Sequence, residues 1–266
     1  VVNRDCIFAC GTLSARLKVA GLIPALSNPV CLVLEEDRAS VDHPEEFTVE
    51  TGMVKIVQGT PAMNDQVARP EFGQHITVEP QGGLVLRFLM LTAHSSTAAG
   101  GVVTAQDAVI TIEGCIFTDN AAVDGDTYKN GGAVYAERSA MLVMQSEFTD
   151  NAGADGGAIY VQDSVVKIDD CTFKENSART GVGGAVYARV DDTAATETIA
   201  EWQMFETIII EDSTFLDNTA VAQGVADALS LTGVQTMVVR DTVFLPFQGL
   251  ETVQTTATAL AGCHDV

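Results

Sequence analysis

The sequence predicts an all-β protein that folds as a right-handed parallel β-helix with a short N-terminal capping segment. Two observations lead to this prediction. A glycine doublet followed by Phe-x-x-Asn returns four times, and the segments before each Phe alternate apolar and mixed positions rich in Val, Ile and Thr. Self-similarity at a period of about 20 to 50 residues indicates a supersecondary unit stacked on copies of itself.

The spacing of the repeats identifies the unit as a coil of strands. The doublets are Gly100-Gly101, Gly131-Gly132, Gly156-Gly157 and Gly183-Gly184, and their partners are Phe117/Asn120, Phe148/Asn151, Phe173/Asn176 and Phe215/Asn218. Successive Phe residues are separated by 31, 25 and 42 residues, and a weaker copy follows at Phe244. Positions seven and five before each Phe are always apolar, as expected when one strand face points into a core.

The chain is expected to be one elongated domain with four regions. Residues 1–31 lack the repeat, and the run from Thr12 to Gly21 could form a short helix, so we interpret this region as an N-terminal cap. Residues 32–99 form irregular early coils and residues 100–250 the regular array, with an inserted loop at about 190–204 that accounts for the 42-residue step. Residues 251–266 are a C-terminal tail or cap.

The repeated Asn and Phe residues are candidates for a structural ladder. A side-chain amide both donates and accepts, so copies about 4.8 Å apart can bond along the axis. We therefore expect Asn120, Asn151, Asn176 and Asn218 to stack as an inward ladder at one corner, beside an inward column of Phe117, Phe148, Phe173 and Phe215.

The charge of the chain restricts its partners. With 36 acidic and 14 basic residues the net charge is −22, whereas nucleic acids and anionic membranes select clusters of Lys and Arg. No apolar stretch approaches the roughly 20 residues of a membrane span. We expect no nucleic-acid partner and no direct membrane span. The start at Val1, without a signal peptide, is typical of a mature product or a fragment.

The six cysteines divide into two groups. Cys6, Cys10, Cys31 and Cys263 lie near the ends and are disulfide candidates of open connectivity, which indicates an oxidising compartment. A zinc site involving Cys6 and Cys10 has no common spacing. Cys115 and Cys171 share one column two residues before the Phe, with one complete coil between them, so their Cα atoms would lie about 9.6 Å apart. Disulfides tolerate roughly 7 Å, so both are expected to be buried thiols outside any disulfide.

The repeats resemble those of a known family. Gly131-Gly-Ala-Val-Tyr, Gly156-Gly-Ala-Ile-Tyr and Gly183-Gly-Ala-Val-Tyr, each coupled to Phe-x-x-Asn, are similar to the repeats of the chlamydial polymorphic outer-membrane proteins. The resemblance covers roughly residues 100 to 245. It implies a β-helical passenger that acts as a cell-surface adhesin, although no C-terminal membrane barrel is visible in this sequence.

Catalytic and metal sites have weaker support. Stacked acids at Asp119, Asp150 and Asp217 could serve a polysaccharide lyase or glycosidase, but repetition alone produces such columns. The acidic turn that contains Asp124 and Asp126 offers oxygen ligands for Ca²⁺, or simply ends a strand; no other cofactor is expected. The four histidines, His43, His75, His94 and His264, we interpret as surface or loop residues.

An outward column of Tyr135, Tyr160 and Tyr187, together with Trp202 in the inserted loop, is the candidate binding face. The alternative is that the tyrosines only shield the sheet. We expect a non-enzymatic, extracellular module for adhesion or structural assembly on a cell surface or appendage. Its partners would be proteins or glycans at that surface, or other copies or subunits of a larger assembly. The competing hypothesis is a carbohydrate-active enzyme on the same fold.

Overall fold

A computed structural model describes residues 30–34, 47–59, 71–73, 75–191, 207–221, 228–234, 236–245, 253–255 and 260–261. These residues form a right-handed parallel β-solenoid, so the predicted fold class is confirmed. The sequence predicts an N-terminal cap at residues 1–31; residues 1–29 lie outside the described residues, and residues 30 and 31 already belong to the strand Val30–Leu34. The described part of the chain contains no helix with the length and hydropathy of a membrane span.

The described residues form 29 short strands. The first coils contain β1 (Val30–Leu34), β2 (Phe47–Val49), β3 (Val54–Gly59), β4 (Ile76–Val78), β5 (Gly83–Arg87), β6 (Met90–Thr92) and β7 (Ser95–Ser96). The regular coils contain β8 (Val103–Gln106), β9 (Val109–Glu113), β10 (Ile116–Thr118), β11 (Ala121–Asp124), β12 (Thr127–Tyr128), β13 (Val134–Glu137), β14 (Ala140–Met144), β15 (Glu147–Thr149), β16 (Ala152–Gly153), β17 (Ile159–Gln162), β18 (Val165–Asp169), β19 (Thr172–Lys174) and β20 (Ser177–Ala178). The last coils contain β21 (Val186–Arg189), β22 (Thr207–Glu211), β23 (Thr214–Leu216), β24 (Thr219–Ala220), β25 (Leu229–Thr232), β26 (Thr236–Arg240), β27 (Val243–Leu245), β28 (Val253–Thr255) and β29 (Leu260–Ala261).

Each regular coil visits four sheets in turn. Sheet 1 stacks β2-β4-β8-β13-β17-β21-β25-β28, sheet 2 stacks β1-β3-β5-β9-β14-β18-β22-β26-β29, sheet 3 stacks β6-β10-β15-β19-β23-β27, and sheet 4 stacks β11-β16-β20-β24, with β7 and β12 also paired to β11. Pairing between coils is parallel. The β11–β12 hairpin, which lies within one coil, is antiparallel. The register places equivalent repeat residues side by side, as for Phe117 and Phe148.

The array extends further than the regular repeats. β28 pairs with sheet 1 and β29 with sheet 2, so strands continue into the region that the sequence assigns to a tail or cap. The 42-residue step falls between β21 and β22, and residues 192–206, including Trp202, lie outside the described residues. The insertion thus leaves the coil at the corner between sheets 1 and 2.

The core is a narrow column of apolar side chains along the axis. Val134, Ile159 and Val186 of sheet 1 and Ile110 and Ile112 of sheet 2 belong to one buried cluster, and all are at most 1% exposed. Burial of these apolar side chains is expected to be the main stabilising contribution.

The glycine doublets bring neighbouring coils into close contact. The first glycine has a positive φ, for example 69° at Gly131, which few L-residues adopt. The second leaves no room for a side chain, since a Cβ at Gly132 would lie 2.1 Å from the carbonyl oxygen of Gly157. The doublet is therefore a backbone requirement of the corner between sheets 4 and 1.

Candidate functional site

Four asparagines form a column at the corner between sheets 3 and 4. The Nδ2-to-Oδ1 distances are 2.8 Å from Asn120 to Asn151, 2.9 Å from Asn151 to Asn176, and 2.9 Å from Asn176 to Asn218. Each Nδ2 also donates to a carbonyl of the preceding coil, as Asn151 does to Phe117 at 3.0 Å. All four side chains are fully buried. In Asn120, Asn151 and Asn176 both amide hydrogens are therefore used, one towards each neighbouring coil.

The column begins one coil earlier with a histidine. Leu91 pairs with Phe117 in sheet 3, so Leu91-x-x-His94 stands where later coils have Phe-x-x-Asn. The backbone N–H of His94 donates to Asn120 Oδ1 at 3.0 Å, and its Nε2 lies 2.7 Å from the carbonyl oxygen of Phe72. His94 lies in the connection between β6 and β7, as its interpretation as a surface or loop residue allows, but it is not a surface residue, because only 8% of it is exposed. Extending the repeat alignment upstream would have revealed its position.

The phenylalanines form a second continuous column beside the asparagines. Phe117, Phe148, Phe173 and Phe215 are fully buried. Their ring centroids are 4.7, 4.9 and 4.8 Å apart in chain order, and the ring planes are within 7° of parallel. Phe244 continues the stack at 4.8 Å. Stacking at this distance adds to the burial of the rings.

The two cysteines of the array alternate with serines in one column. Ser146 Oγ donates to the Met144 carbonyl at 2.7 Å and accepts from the Cys115 N–H at 3.2 Å, and Ser213 Oγ likewise accepts from the Cys171 N–H at 3.2 Å. Cys115 and Cys171 are buried and neither is in a disulfide. Burial raises the pKa of the Cys171 thiol to about 11, so it is a poor nucleophile at neutral pH.

The tyrosine column faces away from the core, but most of its surface is covered. The rings of Tyr135 and Tyr160 stack at 5.3 Å, and Tyr187 lies 5.3 Å beyond at a tilt of 58°. Tyr160 is 3% and Tyr187 8% exposed, and Tyr135 is partly exposed, which favours the alternative that the tyrosines shield the sheet. Burial raises the pKa of Tyr160 to about 12.

The tyrosine hydroxyls bond along the outer face of sheet 1. Tyr135 donates to Glu137 at 3.1 Å and Tyr187 to Thr232 at 3.3 Å. A ligand at this face would meet ring edges and hydroxyl groups rather than ring faces.

The acidic residues considered as catalysts or Ca²⁺ ligands occupy turns. Asp119, Asp150 and Asp217 adopt φ values of 56°, 55° and 52° at the corner between sheets 3 and 4. Asp124 and Asp126 are exposed at the turn of the β11–β12 hairpin, where Asp124 lies 3.9 Å from Lys129. Among the described residues, no group of three or more His, Cys, Asp or Glu side chains is placed to hold a metal ion.

Several charged side chains pair between coils on the outer surface. Arg138 makes two hydrogen bonds of 2.9 Å to Asp107 of the preceding coil. Lys167 lies 2.9 Å from Glu211 of the following coil and 3.0 Å from Asp169 of its own strand. The Arg138–Asp107 and Lys167–Glu211 pairs therefore link neighbouring coils along the stacking direction.

Two small clefts open on the described surface. One, of about 300 Å³, is lined by Glu71, His75, Thr92 and His94 among others. The second, of about 280 Å³, lies at the corner between sheets 2 and 3 and includes Glu147 and Asp170. The first cleft adjoins the start of the asparagine column.

A family model described as "Right handed beta helix region" matches residues 88–244, more than half of the chain. The chain belongs to the right-handed β-helix family. No curated protein sequence matches it. The right-handed β-helix family includes both adhesins and carbohydrate-active enzymes, so the choice between these functions depends on the site.

Some candidate residues of this β-helix lie outside the described part of the chain. They are the disulfide candidates Cys6, Cys10 and Cys263 and the binding-face candidate Trp202. Cys31, the fourth disulfide candidate, lies in β1, where it is paired with Ile56. The disulfide and Trp202 assignments stay predictions.

Proposed function

We propose that this β-helix is a non-enzymatic, extracellular module for adhesion or structural assembly at a cell surface or appendage. The observation that carries the proposal is the pairing of surface charges between coils, of Arg138 with Asp107 and of Lys167 with Glu211. Charges that neutralise one another along the stack reinforce the register of the coils. Surface charges that hold the coils in register are expected in a structural scaffold.

The interior supports the same proposal. The asparagine and phenylalanine columns bind each coil to both neighbours through buried contacts. A stack built in this way presents its sheet faces at a repeat of about 4.8 Å. Such a surface suits extended partners, namely surface proteins, glycans, or other copies or subunits of an assembly.

The sequence adds two supporting features. The Gly-Gly-Ala and Phe-x-x-Asn repeats resemble those of the chlamydial polymorphic outer-membrane proteins, which are cell-surface adhesins. The terminal cysteines are disulfide candidates, and disulfides persist in oxidising, extracellular settings.

An adhesion assay tests the proposal. Beads coated with the full chain are counted on cultured cells and on immobilised glycans. Heat-unfolded chain and an unrelated protein of similar negative charge serve as controls. We expect saturable attachment that soluble, folded chain competes away. Attachment no greater than that of the acidic control on every surface would contradict the proposal.

A further inference from the structure

His94 closes the asparagine column at its N-terminal end. The carbonyl oxygen of Phe72 can only accept a hydrogen bond, so the Nε2 at 2.7 Å carries a proton. In the neutral ring, Nδ1 is then the atom without a proton. The imidazole thus donates a hydrogen bond to the Phe72 carbonyl, as the carboxamide of Asn151 does to the Phe117 carbonyl. Unlike an amide, however, it can take up a second proton.

The segment on the other side of this bond belongs to the preceding coil. Glu71 forms a parallel bridge with Met90, and the N–H of Phe72 donates to the Met90 carbonyl at 2.9 Å. Phe72 is 3% exposed and packs edge-on against Phe47, with ring centroids 5.7 Å apart. His94 therefore joins the early coil to the regular array through a bond that depends on a buried imidazole.

A charge on His94 is unfavourable in this position. Burial lowers the pKa of His94, and the proximity of His75 lowers it further, whereas the hydrogen bond to Phe72 raises it. Glu71 lines the same cleft, and Asp119 precedes Asn120 in the adjacent coil. Both carboxylates would favour the charged ring, yet the pKa of His94 is still lowered. The column itself offers only amides, which do not titrate.

We propose that His94 is a pH-sensitive latch. The Nε2–H donates to the Phe72 carbonyl in both protonation states, but His94 is only 8% exposed, so the closed cleft accommodates the neutral ring and keeps a charged one from water. Protonation in mild acid therefore favours a state in which residues 71–73 move away from the regular array and the charged ring becomes hydrated. Release exposes the apolar rings of Phe72 and Phe47, while the array from Asn120 onwards keeps its amide column.

The direction with pH follows from linkage. The pKa of the folded state lies below the ordinary histidine value of about 6.5, so the released state binds the proton more tightly. The latch is fully closed above that value and weakens as the pH falls below it. Since one proton is involved, the opening equilibrium changes at most about tenfold per pH unit.

Hydrogen exchange and a histidine titration, both on the full chain, test the latch. Amide exchange is followed between pH 7.5 and 5 and corrected for the intrinsic rate. We expect the amides of Phe72 and His94 to open increasingly below pH 6.5, while Asn151 and Asn176 stay protected. His94→Asn extends the amide column and should remove this acceleration. His75→Gln is the matched control in the same cleft and should retain it.

Persistence of the acid-induced opening in His94→Asn would overturn the proposal, as would equal acceleration at Asn151. If His94→Asn does not fold, the NMR titration of His94 in the unaltered chain decides alone. A pKa below the ordinary histidine value supports the latch, and one at or above it overturns the latch.

Discussion

At the residue scale, many of the residues at the corners of the coil combine a positive φ with a negatively charged side chain. Fourteen described non-glycine residues have a positive φ, and eight of them are aspartates. Asp tolerates this region better than most L-residues, because its short side chain can bond to nearby backbone groups. Part of the net charge of −22 therefore follows from the number of corners, and the acidic columns need no catalytic or metal-binding explanation.

One of these aspartates should destabilise the protein at neutral pH. Burial raises the pKa of Asp150, with further contributions from Glu175 and Asp119. The folded state thus favours the protonated carboxyl over the charged one. Asp150→Asn keeps a residue that tolerates a positive φ and should raise Tm at pH 7. The gain should vanish near pH 3, where Asp150 itself is protonated.

Asp124→Asn is the control for this measurement, since Asp124 is exposed on the hairpin turn. It should leave Tm nearly unchanged at both pH values. An equal rise of Tm in both variants would attribute the effect to net charge and contradict the local explanation.

Two glycine-to-alanine substitutions distinguish the effect of close packing from the effect of backbone strain. In Gly132→Ala the new Cβ would lie 2.1 Å from the Gly157 carbonyl oxygen, so the coils must move apart, at a cost of about 3 kcal/mol. In Gly125→Ala nothing lies within 4 Å, but φ is 58°, which costs about 1 kcal/mol. Urea unfolding measures both free energies. A smaller loss for Gly132→Ala than for Gly125→Ala would contradict the close approach of the coils.

At the element scale, the columns determine how one coil specifies the next. Sheet 3 has only three residues per strand, for example Glu147–Thr149, too few for backbone pairing alone to fix a register. Stacked Phe rings and bonded Asn amides add contacts that are satisfied only when equivalent residues coincide. Repeats therefore align Phe with Phe even when the intervening segments differ in length.

Breaking one link in the amide column should be costly. Asn151→Leu leaves the Phe117 carbonyl and the Asn120 amide without their partners at this position, which should cost about 1 to 3 kcal/mol. Asn130→Leu, at a partly exposed position outside the column, is the control. Denaturant unfolding compares the two variants. Equal stability of Asn151→Leu and the unaltered chain would exclude an energetic role for the column.

The serine and cysteine column provides a matched pair of substitutions at one site. Serine already occupies equivalent positions at Ser146 and Ser213, where Oγ accepts the N–H of the preceding coil. Cys171→Ser should therefore change the unfolding free energy by less than about 0.5 kcal/mol, whereas Cys171→Ala loses a polar partner at a cost of about 1 kcal/mol. Greater damage from serine than from alanine would contradict this arrangement.

The same cysteines test the stacking of coils chemically. Because Ser146 stands between them in the column, Cys115 and Cys171 should appear unlinked in peptides from the non-reduced protein. Both thiols should be alkylated quickly only after unfolding. A Cys115–Cys171 crosslink would overturn the order of the coils.

At the scale of the whole molecule, the sequence predicts the fold because the repeats carry it. The inward columns, from Ile110 to Phe215, are visible as alternation and spacing, and the structure places them side by side. The sequence left the burial of the tyrosines open, because alternation gives the direction of a side chain but not what covers it. The burial of His94 was missed because Leu91 and His94 replace the Phe and Asn of the motif, and because its partner Phe72 is a neighbour in space that no repeat motif marks.

The central claim is that this β-helix binds at a surface without chemical turnover. The most direct test incubates the folded full chain with a panel of neutral and acidic polysaccharides and measures binding together with new reducing ends and unsaturated products. We expect retention on one or more of these polymers, or on cell-surface protein, with no product above the heat-unfolded control. Product formation that stops when a single carboxylate such as Glu147 or Asp170 is replaced by its amide would contradict the claim and establish a carbohydrate-active enzyme.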